Sequence, residues 1–254
     1  MAKIINLRVS FSLMKTSDFE VFAEYYDKLY LKRGKNYEKE VGVLEGIIKQ
    51  TEFRKPKTLL DVGCGTGSHL KYFSRNLDCT GVDISKRMIK IARKKVSGAK
   101  FEVANMVSLR LKERFDVITC LFSAIGYVQS FNNLVKTLVN FHEHLNDNGI
   151  VIVEPWVFKK DFRTGRVSLD TVEDEEVKLV RMATSKIGES ELLVFMHYLV
   201  GKKGEIMYVR ELHKMASLDC EDYLKAFELA HFEDIKYLTD NLWNGCRGLF
   251  VARK

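Results

Sequence analysis

The residues best suited to chemistry are a run of glycines that follows a short apolar strand. Leu60–Gly67 (LDVGCGTG) begins where the predicted strand Thr58–Val62 (TLLDV) ends, and it leads into a predicted helix. Glycines at alternate positions let a backbone pass close to a ligand, and the N terminus of the helix adds exposed N–H donors. Asp83 ends the next strand, twenty residues after Gly63, where an acid can accept hydrogen bonds from both hydroxyls of a ribose. The spacing therefore predicts a nucleoside-binding loop, with a tight turn that binds no ligand as the alternative.

Two classes of cofactor use a loop of this kind. Dinucleotide-binding loops follow the pattern G-x-G-x-x-G, whereas Gly63, Gly65 and Gly67 form G-x-G-x-G preceded by Asp61. This form resembles motif I of the class I S-adenosylmethionine (SAM) methyltransferases. The resemblance implies that the loop faces the amino-acid tail of SAM, and a dinucleotide is the less favoured cofactor.

Further segments narrow the resemblance to one group of methyltransferases. They are Tyr26-Asp27, Tyr30, Arg33–Tyr37 (RGKNY), Phe122–Tyr127 (FSAIGY), Glu154–Trp156 (EPW) and Arg247–Val251 (RGLFV). With them the chain is similar to the nucleotide-amino-sugar N,N-dimethyltransferases of the desosamine and mycaminose type, from about Phe19 to its end. The resemblance implies a cofactor, SAM, which is released as S-adenosylhomocysteine, and no metal.

The resemblance also assigns residues to the cofactor. Tyr26 and Tyr37 would lie over it, Asp83 would hold the ribose and Met88 would pack near the adenine. Tyr26 and Met88 also fit a second interpretation as core residues. The family has Asp-Met after the third strand, whereas this chain has Asn105-Met106, whose amide oxygen can still accept a hydrogen bond from the adenine. The assigned positions are Tyr26, Tyr37, Asp61, Gly63, Cys64, Gly65, Gly67, Asp83, Ile84, Met88, Asn105, Met106, Leu121 and Phe122.

The acceptor side follows the fourth and fifth core strands, because ligands of open α/β sheets bind at the carboxyl ends of the strands. Tyr127 and Glu154 are the catalytic candidates. An amine must be unprotonated when it attacks, yet a tyrosine has an ordinary pKa of about 10, so Tyr127 is expected to orient the amine more than to act as a base. Trp156, His197 and Arg247 are the substrate-binding candidates; Arg247 would pair with an anionic group. His197 also fits a structural role in an alternating strand.

These features predict a SAM-dependent methyltransferase that acts on the amine of a small molecule, with a nucleotide-linked amino sugar as the specific substrate. A tRNA or rRNA methyltransferase is the alternative. It is disfavoured because FSAIGY stands where enzymes that methylate base amines carry Asn/Asp-Pro-Pro-aromatic. A non-catalytic SAM-binding protein is a third interpretation.

Alternating strand and helix patterns over residues 56–155 predict the elements that must position these residues. The fold class is an α/β Rossmann-like seven-stranded sheet, mostly parallel with an antiparallel C-terminal strand, plus a small antiparallel β insertion. We predict an N-terminal extension and helical lid (1–55), the SAM-binding core (56–155), the insertion that caps the acceptor site (156–217) and a C-terminal part that completes the core sheet (218–254). Within these parts, Phe19–Tyr30 is predicted as a helix, Ser68–Arg75 as another, and Asp170–Glu176 (DTVEDEE) as a solvated turn.

Composition limits the class of protein. The 254 residues carry a formal net charge of +7, but lysines and arginines are densest in Lys86–Lys95, where apolar residues interleave at helical spacing. That pattern is typical of the solvated face of a helix and counts against a nucleic-acid partner. Five scattered cysteines and the absence of a long apolar run predict a cytoplasmic protein with no membrane span. A homodimer is left open, and residues 1–13 are interpreted as an extension or a short extra strand.

Overall fold

The computed structural model describes residues 14–15, 22–51, 55–240, 242–243 and 245–254. The extension expected at residues 1–13 and the expected helix start at Phe19 lie outside these residues. In chain order the strands are β1 (Met14–Lys15), β2 (Thr58–Val62), β3 (Asp78–Asp83), β4 (Ala99–Val103), β5 (Phe115–Cys120), β6 (Leu145–Val153), β7 (Val167–Glu173), β8 (Lys178–Ile187), β9 (Glu191–Lys202), β10 (Glu205–Ala216), β11 (Glu233–Leu238) and β12 (Leu249–Arg253). The α-helices are α1 (Tyr26–Lys32), α2 (Tyr37–Gln50), α3 (Leu70–Phe73), α4 (Lys86–Lys95), α5 (Phe131–His144) and α6 (Cys220–Leu229).

The core sheet has the order β4-β3-β2-β5-β6-β12-β11 within the described residues. Its strands β2 to β6 run parallel, and β12 is antiparallel to both of its neighbours. This confirms the predicted fold class, a mostly parallel seven-stranded sheet with an antiparallel C-terminal strand. The chain passes from β2 to β3 on one side, whereas β5 lies on the other. The carboxyl end of β2 is therefore a topological switch point, where such sheets open a crevice for ligands.

Helices cover both faces of this sheet because its strands are apolar on both sides. One cluster packs α5 and α6 against the sheet, and the other packs α2, α3 and α4 against the opposite face. The sequence predicts a helix over Leu134–Leu145 with Leu134, Leu138, Phe141 and Leu145 on one apolar stripe. All four side chains are fully buried, although α5 ends at His144 and Leu145 begins β6. α3 is shorter than the predicted Ser68–Arg75 and begins at Leu70.

The N-terminal helix also differs from its prediction. Phe22–Glu24 forms a separate 3-10 turn, and α1 begins at Tyr26. Phe22 stacks on Tyr198 of the second sheet, with ring centroids 4.5 Å apart. The contact that determines this geometry lies more than 170 residues away in the sequence, so helical spacing alone could not reveal the break.

The second sheet has the order β1-β10-β9-β8-β7, in which β7 to β10 are antiparallel and β1 pairs in parallel with β10. The prediction of a solvated turn over Asp170–Glu176 was wrong, because β7 continues to Glu173. Val167 and Leu169 are more than 60% exposed, and Val172 is buried. A strand with so little buried surface lacks the alternation by which strands are recognised in sequence.

Candidate active site

The glycine loop leaves β2 in a conformation that only glycine adopts easily. Gly63, Gly65 and Gly67 have φ angles of 72°, 54° and 75°, in the left-handed region. A Cβ atom on Gly63 would lie 2.5 Å from the Cβ of Ala124. The N–H groups of Gly63 and Cys64 donate to the Val82 carbonyl, which anchors the loop to the neighbouring strand.

Asp83 ends β3 beside this loop. Its Oδ2 accepts from the Gly65 N–H at 2.9 Å, and its Oδ1 accepts from the Ser85 N–H at 2.8 Å. Burial raises the pKa of this carboxyl, whereas the two N–H groups oppose the rise. Each oxygen keeps a further lone pair for a ligand hydroxyl. Ile84, the next residue, is 66% exposed and offers an apolar surface to a ring beside the ribose position.

Asp61 supplies the observation that tests whether SAM fits. Its side chain is 1% exposed, and Oδ1 accepts from the Thr119 hydroxyl at 2.8 Å. Within the described residues, the buried Oδ2 has no hydrogen-bond partner. Burial raises the pKa of the carboxyl to about 6. An unsatisfied buried carboxylate oxygen is costly unless a ligand donates to it, and the ammonium group of an amino-acid tail would do so. The residues present therefore fit SAM.

A pocket opens between the loop and the N-terminal aromatic residues. Tyr26 lies 4.6 Å from Tyr30, and Tyr30 lies 4.8 Å edge-on from Phe122, as ring centroids. Burial and the neighbouring tyrosines raise the pKa of Tyr26, so its hydroxyl stays protonated. The lining residues are Tyr26, Tyr37, Asp61, Gly63, Cys64, Gly65, Thr66, Ser68, His69, Leu121 and Phe122. The structure thus brings eight of the predicted cofactor residues to one pocket.

Three of the predicted cofactor residues that do not line this pocket have contacts or burial of their own. Met106 places its terminal carbon 3.8 Å from the Cβ position of Gly63. The Asn105 side-chain oxygen accepts from the Val107 N–H at 2.9 Å, so it caps a 3-10 turn and has one lone pair left. Met88 is buried within α4. This burial fits its alternative interpretation as a core residue as well as a position near the adenine.

Glu154 accepts a hydrogen bond from the backbone of the loop after β5. Phe122 and Ser123 have φ angles of 51° and 62°, which are strained for residues with side chains. The Phe122 N–H donates to Glu154 Oε2 at 2.7 Å, and the Ser123 hydroxyl donates to the Pro155 carbonyl at 2.8 Å. Glu154 is 1% exposed. Burial raises its pKa, and the positive charge of Lys35 opposes the rise. Its carboxylate therefore holds the strained turn in place.

Three predicted acceptor-side residues lie together. A Cβ atom on Gly126 would lie 2.8 Å from the Trp156 side chain, so the 3-10 turn that carries Tyr127 packs on Trp156. The Arg247 guanidinium lies 4.9 Å from the centroid of the Trp156 ring. His197 is not brought to this place. It lies on the other face of the second sheet from Tyr198, and its Nδ1 is 2.5 Å from the Tyr208 hydroxyl.

Sequence reasoning missed two buried polar clusters at the site. In the first, Glu40 accepts from Lys35 at 2.9 Å and lies 2.8 Å from His69, while the Lys35 ammonium is 3.8 Å from the centroid of the Phe122 ring. In the second, His213 lies 2.9 Å from the Tyr127 hydroxyl. The alternation of Glu211 and His213 on β10 was an available signal, because residues two apart in a strand share a face.

No group of three or more His, Cys, Asp or Glu side chains in the described residues could hold a metal ion. No helix in that part of the chain is long and apolar enough to cross a membrane.

Comparison with known proteins identifies the family. A family model described as a methyltransferase domain matches residues 59–149. The chain is 32% identical over 234 residues to the dTDP-3-amino-3,4,6-trideoxy-alpha-D-glucopyranose N,N-dimethyltransferase of Streptomyces venezuelae, an alignment that spans 91% of this chain and 96% of the relative. The chain belongs to this family of sugar N,N-dimethyltransferases.

Other sugar N,N-dimethyltransferases support the same membership. The dTDP-3-amino-3,6-dideoxy-alpha-D-glucopyranose N,N-dimethyltransferase of Streptomyces fradiae is 33% identical over 82% of each chain. Among solved structures, Streptomyces venezuelae DesVI has a TM-score of 0.83 at 31% identity, covering 91% of this chain and 97% of that one. SAM-bound CalS10, an amino pentose methyltransferase from Micromonospora echinaspora, has a TM-score of 0.79 at 28% identity, covering 94% and 98%.

The protein is a SAM-dependent methyltransferase that transfers methyl groups to an amine of a small molecule. The predicted family, cofactor and reaction are thus confirmed.

Proposed function

We propose that the acceptor is the amino group of a sugar carried on a nucleotide. The names of the curated relatives describe enzymes that act on dTDP-linked amino sugars. The site offers groups suited to the two ends of such a substrate, namely the Tyr127 hydroxyl for an amine and the Arg247 guanidinium for a diphosphate.

The observation that carries this proposal is the position of Arg247. Its guanidinium lies 4.9 Å from the centroid of the Trp156 ring, which packs on the turn that carries Tyr127. Burial lowers the pKa of Arg247, and the Glu154 carboxylate opposes that fall. A guanidinium binds phosphate oxygens in bidentate fashion. A nucleotide-linked sugar would supply those oxygens.

Several of the predicted site residues then have a task. SAM, when bound, supplies a methyl group made electrophilic by its positively charged sulfur. Asp61 accepts from the amino group of the tail and Asp83 from the ribose. Tyr26 and Phe122 cover the pocket and exclude water, which strengthens the electrostatic interactions inside it. Glu154 positions the turn that carries Tyr127, whose hydroxyl oxygen accepts from the amine and orients it for in-line attack.

The direct test incubates the protein with SAM and dTDP-3-amino-3,6-dideoxy-α-D-glucopyranose and follows the product by mass spectrometry. We expect the mass of the sugar nucleotide to rise by one and then two methyl groups. The free amino sugar is the matched control and should react far more slowly. Methylation of RNA but of no sugar nucleotide would contradict the proposal.

Replacing Arg247 tests the diphosphate contact. Arg247→Ala should raise the KM for the sugar nucleotide about 10- to 100-fold, the loss of one charge-assisted hydrogen-bonded contact. The KM for SAM should change little. Arg75→Ala is a control, since Arg75 is an exposed arginine paired with Glu38. Equal increases in both KM values would mean that Arg247 supports the fold.

We also propose that the chain works in the cytoplasm. Its five cysteines are all free thiols in the structure, as is usual in a reducing compartment. The pairing of two copies stays a prediction, which sedimentation velocity can test.

A further inference from the structure

Lys35 is a buried cation in the link between α1 and α2. Only 8% of its side chain is exposed, and its ammonium lies 2.9 Å from the Oε2 atom of Glu40, in the first turn of α2. The Lys35 N–H donates to the Tyr30 carbonyl at 3.0 Å, and the side chain of the next residue, Asn36, caps α2. Both the backbone and the ammonium of Lys35 are therefore held in place.

The same ammonium lies on the ring of Phe122. Its nitrogen is 3.8 Å from the centroid of that ring, and the rings of Tyr37 and Trp243 are 5.6 and 6.0 Å away. An aromatic ring attracts an ammonium within about 6 Å of its centroid, and more strongly when water is excluded. Phe122 also lines the cofactor pocket and lies edge-on to Tyr30. Lys35 thus holds the side chain of a pocket residue.

Lys35 also acts on the backbone of Phe122, through Glu154. Phe122 has a strained φ of 51°, and its N–H donates to Glu154 Oε2 at 2.7 Å. Burial raises the pKa of Glu154, and the positive charge of Lys35 is the largest of the interactions that lower it. An ionised carboxylate accepts a stronger hydrogen bond than a neutral acid. One ammonium therefore supports both the ring and the N–H of a strained residue.

Stability alone does not explain a cation at this place. Moving an ammonium and a carboxylate out of water is costly, and buried ion pairs can often be replaced by apolar side chains with little loss of stability. Two apolar residues at the positions of Lys35 and Glu40 would therefore serve the fold about as well. They would not supply the positive charge that acts on Phe122 and Glu154.

We propose that Lys35 is a positioning residue for the methyl transfer, whose ammonium fixes Phe122 and with it the turn that carries Tyr127. That 3-10 turn, Ala124–Val128, begins two residues after Phe122, so a displaced Phe122 displaces the turn as well. A displacement of about 1 Å can lower a rate about 100-fold. Lys35 acts through Phe122 and Glu154 and is not itself a catalytic residue. The inference rests on the proposed function, in which this turn meets the acceptor amine.

The test removes the charge of Lys35 without leaving Glu40 as a buried charge that has lost its lysine. Lys35→Met/Glu40→Gln is compared with Glu40→Gln, which keeps the ammonium and an amide oxygen that can accept from it. We expect kcat for the sugar nucleotide to be about 10- to 100-fold lower in the double variant than in Glu40→Gln. The dissociation constant of S-adenosylhomocysteine should change far less, because Asp61 and Asp83 are retained. Lys39→Met, at an exposed lysine of α2, is the control and should behave as the wild type.

Two results would overturn the proposal in this assay. Equal kcat values in the double variant and in Glu40→Gln would mean that the charge of Lys35 makes no difference. A loss of affinity for S-adenosylhomocysteine as large as the loss of kcat would mean that Lys35 supports the whole pocket and does not position one turn.

The amide proton of Phe122 reports on the same contacts without turnover. In the S-adenosylhomocysteine complex its NMR shift depends on the charge of Glu154, to which the N–H donates. Loss of the Lys35 charge should move the midpoint of this titration to higher pH in the double variant than in Glu40→Gln, because a nearby positive charge favours the ionised carboxylate. Both proteins retain the other titratable groups that interact with Glu154, which include His69, Cys120, Cys246 and Arg247.

An unchanged midpoint would overturn the role of Lys35, whatever the activity of the variants. If the wild type methylates no sugar nucleotide, the proposed function fails in the activity assay. The titration of the Phe122 amide still decides whether Lys35 holds the strained residue, so the two failures are distinguishable.

Discussion

Asp61 near the end of β2 is buried and Asp83 at the end of β3 is partly exposed, and the oxygens of the two side chains are satisfied differently. Asp83 has a backbone N–H on each oxygen, whereas Asp61 has the Thr119 hydroxyl on one oxygen only. Asp83 therefore keeps its place without a ligand. Asp61 has unused hydrogen-bonding capacity, and this makes its ionisation sensitive to what binds.

Asp61 should make cofactor affinity depend on pH. Burial raises its pKa to about 6, and the ionised form accepts from an ammonium group much more strongly than the neutral acid does. Affinity for S-adenosylhomocysteine should therefore be full above pH 6 and fall as the pH drops through 6. Asp61→Asn should bind about 10- to 100-fold more weakly at pH 8, the loss of one charged hydrogen bond, with a flatter pH profile. Titration calorimetry from pH 5 to 8 measures both. The wild type and Asp61→Asn both retain Asp83. If the two proteins gave the same pH profile, Asp61 would therefore not be the titrating group.

Replacing Asp83 should weaken cofactor binding more strongly. Asp83→Ala removes the ribose acceptor and also releases the Gly65 N–H, so we expect a loss of about 2–4 kcal/mol in binding free energy. Asp78→Ala, at the exposed start of the same strand, is the control. Equilibrium dialysis with S-adenosylhomocysteine gives both constants, and equal values for Asp83→Ala and wild type would reduce Asp83 to a structural acid.

At the scale of the element, α1 is held from two sides. Asp27 accepts from Thr66 at 2.7 Å and Ser68 at 3.0 Å in the loop region and pairs with Lys95 of α4. On its other side Lys28 pairs with Asp174 at 2.7 Å. A seven-residue helix is not stable alone. Its position over the pocket therefore depends on these contacts and on the buried Leu29.

Weakening the contacts between α1 and the core domain should open the pocket. Asp27→Asn keeps the shape of the side chain but removes the charge that Lys95 neutralises. We expect the dissociation constant of SAM to rise about 3- to 30-fold, a loss of about 1–2 kcal/mol, with faster proteolysis near α1. Glu38→Gln, which breaks an exposed pair with Arg75, should change neither. If Asp27→Asn bound SAM more tightly than the wild type, Asp27 would not be the residue that holds α1 over the pocket.

At the scale of the whole molecule, the pocket joins the core sheet, α1 and the loop after β5. A ligand that binds the folded state only should therefore stabilise all three together. S-adenosylhomocysteine at about 1,000 times its dissociation constant adds about 4 kcal/mol, which is roughly 8–16 °C in the unfolding midpoint for a chain of this size. Differential scanning calorimetry should show this shift, and NADH should give none. The reverse pattern would contradict the SAM site.

Much of the cofactor side could be predicted because its signals are local. Asp61, the three glycines and Asp83 lie within 23 residues of one another, on two adjacent strands and the turn that leads from the first strand into α3. The stripe of α5 was equally readable, since helical spacing repeats over four turns. β7 was missed because its exposed side chains carry no alternation, and α1 was misplaced because its start depends on Tyr198.

The sequence by itself determined the order of strands and helices in the core over residues 56–155, the glycine loop and the acid that ends β3, because backbone conformation and periodic burial act over short stretches of chain. Only the tertiary structure decided that His213 meets Tyr127 across 86 positions, that His197 lies on the far face of its sheet, and that Glu154 supports a turn. Such contacts depend on how two sheets and a short helix pack, which is a property of the whole chain. The residues of the cofactor site are thus close together in the sequence, whereas those around the acceptor come from distant segments that meet only when the chain is packed.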